Sequence, residues 1–143
     1  MLAATALSGD RDGSGQTLVV RDAQGETVVR RELPENGAFA LAYRHSYYGA
    51  PARELFRAVD GELRLEALAS PRAAVLDYYA LAGGRSRARR WLRLVPAERR
   101  RYERLPLIAT ATGRRTLMVG GERIPLYGGD GARHLTITAE GQS

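Results

Sequence analysis

His45 and Glu54 are the two residues of this sequence whose types and spacing best suit chemistry. An imidazole beside a carboxylate can exchange protons with a bound molecule, and the carboxylate favours the protonated ring. The segment Tyr48-Gly-Ala-Pro51 between them predicts a four-residue hairpin loop, because its proline cannot continue a central strand. The sequence therefore predicts that His45 and Glu54 face each other on adjacent antiparallel strands. The alternative is a His–Glu bond that only fixes the register of the sheet.

Ser46 directly follows His45, which suggests a nucleophile beside a base. Adjacent residues of a strand point to opposite faces, so the serine hydroxyl cannot readily donate to its neighbour's ring. No catalytic residue is assigned on this basis. The candidate residues for binding a ligand or a partner are His45, Ser46, Glu54, Tyr78 and Tyr79.

Metal and cofactor chemistry has no recognisable pattern in this chain. The sequence contains no cysteine, and His45 and His134 lack a spaced carboxylate–histidine pattern for a metal. The paired glycines lie between strand patterns, with neither a phosphate-binding lysine nor a following helix. The sequence thus predicts no metal and no cofactor.

The elements that must position these residues follow a period of two, with turn signals every eight to twelve residues. This pattern predicts an all-β domain over residues 17–140, an antiparallel sandwich or small barrel of about nine or ten short strands. The segment Pro71–Leu81 is either one or two helical turns or a loop crossing the sheet. Residues 1–16 read as a linker or the remnant of a signal or anchor segment.

Two turns define the expected inner face. The Tyr48–Pro51 loop sets Tyr43 opposite Phe56, and the Asp60-Gly61 turn sets Glu54 opposite Ala67. The registers set by the two turns place the same apolar side chains on the face that we expect to form the core. These side chains are those of Phe39, Leu41, Tyr43, Phe56, Ala58, Leu63 and Leu65.

Positive charge is concentrated in one segment. The net charge is +6 and all 22 basic side chains are arginine; nine lie within residues 85–104, against only Glu98 and Glu103. This segment could bind anions or a membrane surface, although a solvated face explains it equally well and no nucleic-acid motif is present. The basic patch comprises Arg89, Arg90, Arg93, Arg99, Arg100 and Arg101. We expect Ala88–Val95 to form one strand, anchored to the core by Trp91, Leu92 and Leu94.

Two segments carry a family resemblance. The segment from Phe39 to Ser46, followed by Pro51 and Glu54-Leu-Phe56, resembles the Tyr-x-His-Ser…Pro…Glu signature of domain of unknown function family 1850. The segment Leu117–Leu126 resembles the carboxy-terminal hairpin of the same family. Many members carry Ser-Phe-Gly-Ala-Gly where this chain has Ser70–Tyr79, so no ligand preference is carried over.

The resemblance implies a setting. Members of this family are typically encoded beside TRAP transporters of the TAXI type, often with an amino-terminal signal or anchor. It therefore implies an extracytoplasmic, non-enzymatic accessory or binding domain, with components of the transport system as partners. Two other functions stay open: a small enzyme using His45 and Glu54 as an acid–base pair, and an anion-binding or membrane-surface module using residues 85–104.

Overall fold

The computed structural model describes residues 13–129 and 131–141, which form twelve strands and one short helix. The strands form two antiparallel sheets. None of the described helices has the length and apolar character needed to cross a membrane. The predicted linker or signal remnant lies outside the described residues over positions 1–12.

The smaller sheet has four strands in the order β2-β1-β12-β9. Its strands are β1 (Gly13–Arg21), β2 (Thr27–Pro34), β9 (Leu105–Ala109) and β12 (Arg133–Gly141). β1 begins before Thr17, where we expected the domain to start. The Gln16 side chain donates to the backbone oxygen of Ala58 in the other sheet at 3.0 Å.

The larger sheet has eight strands, seven of them in the order β11-β10-β3-β4-β5-β7-β6, with β8 paired to β5. Its strands are β3 (Ala38–Arg44), β4 (Pro51–Val59), β5 (Glu62–Ser70), β6 (Gly83–Ala88), β7 (Trp91–Pro96), β8 (Arg101–Tyr102), β10 (Thr116–Val119) and β11 (Glu122–Pro125). Helix α1 (Ala73–Tyr78) joins β5 to β6. Of the two alternatives predicted for Pro71–Leu81, helical turns or a loop crossing the sheet, the structure shows the helical turns.

The core lies between the two sheets, where alternate residues of the strands are buried. Leu18 and Ile137 of the smaller sheet belong to the same apolar cluster as Leu41 and Phe56 of the larger one. Phe39, Ala58, Leu63 and Leu65 are also buried, while Tyr43 is half-buried. The all-β sandwich prediction is confirmed, with twelve strands among the described residues where about nine or ten were expected, and the sheets do not close into a barrel.

The predicted pairing of β3 with β4 is wrong by four positions. Tyr43 faces Ala52 and Leu41 faces Glu54, because β3 ends at Arg44 and the connection is longer than expected. The loop is closed by the His45 amide, which donates to the Ala50 oxygen at 2.8 Å. A shift by an even number of residues preserves which side chains face the core, so the predicted inner face survives the error.

The Asp60-Gly61 turn between β4 and β5 is confirmed. Both residues have positive φ angles, 50° and 81°, as a two-residue hairpin of this type requires. Phe56 faces Leu65 as predicted, but a bulge between Leu55 and Phe56 shifts the remaining pairs. Glu54 consequently faces Leu68 and not Ala67.

The arginine-rich segment forms a hairpin and not the single strand expected over Ala88–Val95. β6 pairs with β7 through a turn at Arg89 and Arg90, and Arg89 adopts a φ of 57°. Leu94 is buried and Leu92 packs against the core, as predicted. Successive side chains of a strand point to opposite faces, so Trp91 points away from the core that Leu92 and Leu94 face. The prediction that Trp91 anchors this strand to the core is therefore wrong.

Candidate functional site: a polar cavity around Glu54

A cavity of about 440 Å³ opens where the two sheets meet at the end of β3. All five candidate ligand residues predicted from sequence line it. The complete lining comprises Tyr43, Arg44, His45, Ser46, Glu54, Tyr78, Tyr79, Ile108, Thr110, Thr112, Gly113 and Arg115. These residues come from β3 and the loop after it, from β4, from the C-terminal end of α1, from β9, and from the connection between β9 and β10.

Glu54 is the carboxylate of this cavity, and its side chain is 17% exposed. Its Oε1 lies 3.3 Å from Arg115 Nη1, and its Oε2 accepts a hydrogen bond from the Tyr79 hydroxyl at 3.3 Å. Each carboxylate oxygen thus has a donor. Burial raises the pKa of Glu54 above its ordinary value, and the charge of Arg115 opposes that rise.

Two tyrosines extend this arrangement. The Tyr79 hydroxyl contacts the Tyr43 hydroxyl as well as Glu54. Since the Tyr79 proton points to Glu54, the Tyr43 hydroxyl donates to Tyr79. Burial raises the pKa of Tyr79 to about 12, so the hydroxyl stays protonated at neutral pH. Arg115 covers the Tyr43 ring, with 4.9 Å between its guanidinium carbon and the ring centroid.

His45 lies in the loop after β3 and does not form the predicted cross-strand pair with Glu54. It is 8% exposed, and its Nδ1 accepts a long hydrogen bond of 3.4 Å from the Tyr48 amide. Tyr78 packs edge-on against the imidazole, with 4.7 Å between ring centroids. Among the described residues, no hydrogen bond joins His45 to Glu54.

Ser46 and Tyr78 contribute polar groups nearer to solvent. Ser46 is exposed beside His45, and Tyr78 is 66% exposed. Their hydroxyls are accessible to a molecule that enters the cavity. They differ in this respect from Glu54 and Tyr79, which are already engaged with each other.

Sequence reasoning missed Arg115, Thr110 and Thr112. They belong to the connection between β9 and β10, which reaches Glu54 only because β10 pairs with β3. Arg115 carries no local signal that separates it from the other arginines of the chain. Tyr43 was expected on the inner face, but not as a member of the site.

The described residues contain no group of three or more His, Cys, Asp and Glu side chains that could hold a metal ion. The cavity presents hydrogen-bonding and charged groups to a molecule that enters it. Its donors are guanidinium and hydroxyl groups, and its carboxylate belongs to Glu54.

The basic patch predicted from sequence is distributed over two strands and two connections. Arg89 and Arg90 form the β6–β7 turn, Arg93 lies on β7, and the others lie in the connection to β8 and on β8 itself. All six residues are exposed, as are Arg85 and Arg87. Carboxylates outside residues 85–104 neutralise part of the charge of this segment: Arg99 lies 2.8 Å from Glu66, and Arg85 lies 2.6 Å from Asp77.

Comparison of the chain with protein-family models, with curated proteins and with solved structures finds no match. The resemblance to domain of unknown function family 1850 therefore stays a prediction.

Proposed function

We propose that this chain is a non-enzymatic binding domain that holds a small polar solute in the cavity around Glu54. The observation that carries the proposal is the mostly buried Glu54 carboxylate, held by Arg115 and Tyr79 at the wall of an open cavity. Burying a charge costs free energy, and a purely structural role in a sheet needs no such group. In a binding role, the carboxylate and its donors are the polar groups that contact the solute in the cavity.

The composition of the cavity favours a solute with both donors and acceptors. Its volume of about 440 Å³ suits a small molecule. Arg44 and Arg115 supply positive charge, while Glu54 supplies negative charge and Thr110 and Thr112 supply hydroxyl groups. A zwitterionic amino acid, a hydroxy acid or a small sugar has matching chemistry.

The acid–base alternative has less support from the geometry. A general base must lie within hydrogen-bonding reach of the proton that it takes. Both oxygens of Glu54 are engaged by Arg115 and Tyr79, and the ring nitrogen Nδ1 of His45 accepts from the Tyr48 backbone. Neither group is poised to activate the other, so binding explains the cavity with fewer assumptions.

The biological setting that we propose follows from the sequence resemblance alone. It makes the chain an extracytoplasmic accessory domain of a TAXI-type TRAP transport system, with the components of that system as partners. A binding domain for a small solute is compatible with such a setting. Affinity capture with the tagged chain from membranes that contain such a transporter tests it; recovery of none of the transporter's components refutes the setting.

Calorimetric titration with amino acids, hydroxy acids and small sugars tests the binding role. We expect saturable binding of at least one class, weakened by Tyr79→Phe, which removes the hydroxyl that holds Glu54. Tyr47→Phe is the matched control, because it makes the same chemical change at a side chain that is 79% exposed and outside the cavity lining. Absence of binding across all three classes, or equal weakening by both variants, contradicts the proposal.

A further inference from the structure

A second depression, which we call the arginine cleft, lies on the face of the larger sheet that points away from the core. Its volume is about 430 Å³. Four arginines line it together with three aromatic residues. The complete lining comprises Ala42, Tyr43, Arg44, Pro51, Ala52, Arg53, Trp91, Arg114, Thr116, Arg123 and Tyr127.

The strand register explains how the cleft forms. Thr116, Ala42, Arg53 and Ala69 occupy neighbouring positions in one row across β10, β3, β4 and β5. The two alanines are short, so they leave room on both sides of the Arg53 side chain. Arg53 lies over the indole of Trp91, with 4.5 Å between its guanidinium carbon and the ring centroid.

The remaining arginines approach the cleft from three other places. Arg44 ends β3, Arg114 precedes β10, and Arg123 lies on β11. Arg114 adopts a φ of 51°, in the left-handed region that a residue with a side chain seldom occupies. The four guanidinium groups thus reach the cleft from four separate chain segments.

Charge in this cleft is uncompensated. No carboxylate lines it, and none of the four arginines has an ion-pair partner among the described residues. Some arginines outside the cleft do have a partner: Arg57, Arg64 and Arg99 each face a glutamate. Four like charges in one concave surface produce a positive potential that an anion relieves.

We propose that the arginine cleft binds a phosphate group, carried either by a free phosphomonoester or by a lipid headgroup. A carboxylate is satisfied by one arginine, whereas a phosphomonoester offers three acceptor oxygens and nearly two negative charges to several arginines at once. Trp91 and Tyr127 provide apolar surface beside the charges for the body that carries the phosphate. This site is different from the segment 85–104 that the sequence singled out, since Trp91 is its only residue from that segment.

The cleft also differs from the cavity around Glu54, although Tyr43 and Arg44 line both. Arg114 and Arg123 line the cleft but not that cavity. Variants at these two positions therefore test the phosphate site without disturbing the groups proposed to hold a polar solute. Failure of one proposal leaves the other standing.

Trp91 is the single tryptophan of the chain and supplies a reporter within the cleft. The protein is titrated with inorganic phosphate and with glycerol 3-phosphate. Calorimetry measures the heat of binding, and fluorescence measures the emission of Trp91. Vesicles containing phosphatidic acid, compared with vesicles of phosphatidylcholine alone, distinguish a lipid-borne phosphate from a free one. Saturable binding of either kind, accompanied by a change in Trp91 emission, is expected.

The decisive comparison uses two double variants that remove the same charge. Arg114→Gln with Arg123→Gln should weaken binding about tenfold, since each arginine contributes charged hydrogen bonds. Arg87→Gln with Arg100→Gln removes two exposed arginines outside the cleft and should change the affinity less than about twofold. If the first pair lowers the melting temperature, Arg53→Gln replaces it.

Three outcomes overturn the proposal. One is no binding of the free phosphates or of the phosphatidic acid vesicles. Another is heat of binding without a change in Trp91 emission, which indicates a site elsewhere. The last is equal weakening by both double variants, which indicates attraction to net charge and not to the cleft.

Discussion

Arg115 Nη1 lies 3.3 Å from Glu54 Oε1, and this contact ties the turn before β10 to the middle of β4. Both side chains are mostly buried, with 26% of Arg115 and 17% of Glu54 exposed. Water therefore screens the attraction between the two charges only weakly. Because burial raises the pKa of Glu54, whereas the pKa of Glu140 in an exposed pair is lowered, we expect the two pairs to respond oppositely to pH.

Replacing Arg115 by glutamine should destabilise the protein at neutral pH. Glu54 then keeps its burial but loses the cation that compensates it, at a cost of about 1–3 kcal/mol in the free energy of unfolding. At about pH 4 the carboxyl group is protonated and the loss should be smaller. Urea denaturation at both pH values measures the difference. Arg64→Gln, at the more exposed Arg64–Glu62 pair, is the control, with an expected change within about 0.5 kcal/mol.

Replacing Glu54 by glutamine should remove a dependence of stability on pH. Because burial raises the pKa of Glu54 in the folded state, that state binds more protons than the unfolded chain as pH rises above 4.5. The wild type should therefore lose stability relative to Glu54→Gln between about pH 4 and pH 7. A difference that stays constant or grows with pH contradicts this.

Glu140→Gln provides a control of opposite sign. The hydrogen bond from Arg21 lowers the pKa of Glu140, so its contribution is present above the unfolded pKa and is lost as pH falls. The wild type should gain stability relative to this variant as pH rises. Thermal melts of the three proteins in the same buffers compare the two signs directly.

Gly37→Ala should be strongly destabilising. Gly37 has a φ of 74°, and a Cβ atom there meets the backbone oxygen of Ala58 at 2.3 Å. Gly25→Ala is the matched control, because Gly25 has a similar φ of 83° and no atom within 4 Å of the added carbon. The left-handed conformation costs each variant about 1–2 kcal/mol, so the excess for Gly37→Ala measures the clash. Equal melting temperatures argue against the close approach of β4 to Gly37.

The rings of Phe39 and Phe56 should couple energetically across β3 and β4. They pair in register, with 5.1 Å between centroids and an interplanar angle of 6°. A double-mutant cycle with Phe39→Leu and Phe56→Leu should give a coupling of about 0.5–1.5 kcal/mol. Additive effects of the two substitutions disagree with the observed stacking.

The sequence predicts the sandwich and its inner face because the period of two survives local errors. The pairing of β3 with β4 was predicted four positions away from the observed one, yet Phe39 and Leu41 still face the core. The bulge beside Phe56 left no readable signal, since a bulge depends on how two strands twist together. Predicting which residues pair across two strands requires the length of the connecting loop, whereas predicting which side chains face the core does not. Hydrogen bonds within residues 45–50 set that length here.

The candidate site is predicted in membership but not in contacts. His45, Ser46, Glu54, Tyr78 and Tyr79 all line one cavity, but His45 and Glu54 are not the cross-strand pair that the predicted register makes them. The carboxylate binds Arg115 instead, a residue 61 positions away. A contact of that separation is set by the order of strands, which local patterns do not encode.

The two edges of the larger sheet bear on how the protein behaves at high concentration. β11 ends in Pro125, which has no amide hydrogen to offer to another strand. β6, at the other edge, is fully exposed and carries Arg85 and Arg87, so a second copy that approaches it meets like charge. Added salt screens that repulsion, and self-association through β6 should then increase. We therefore expect the positive charge of the β6–β7 hairpin to oppose edge-to-edge pairing between copies of the protein.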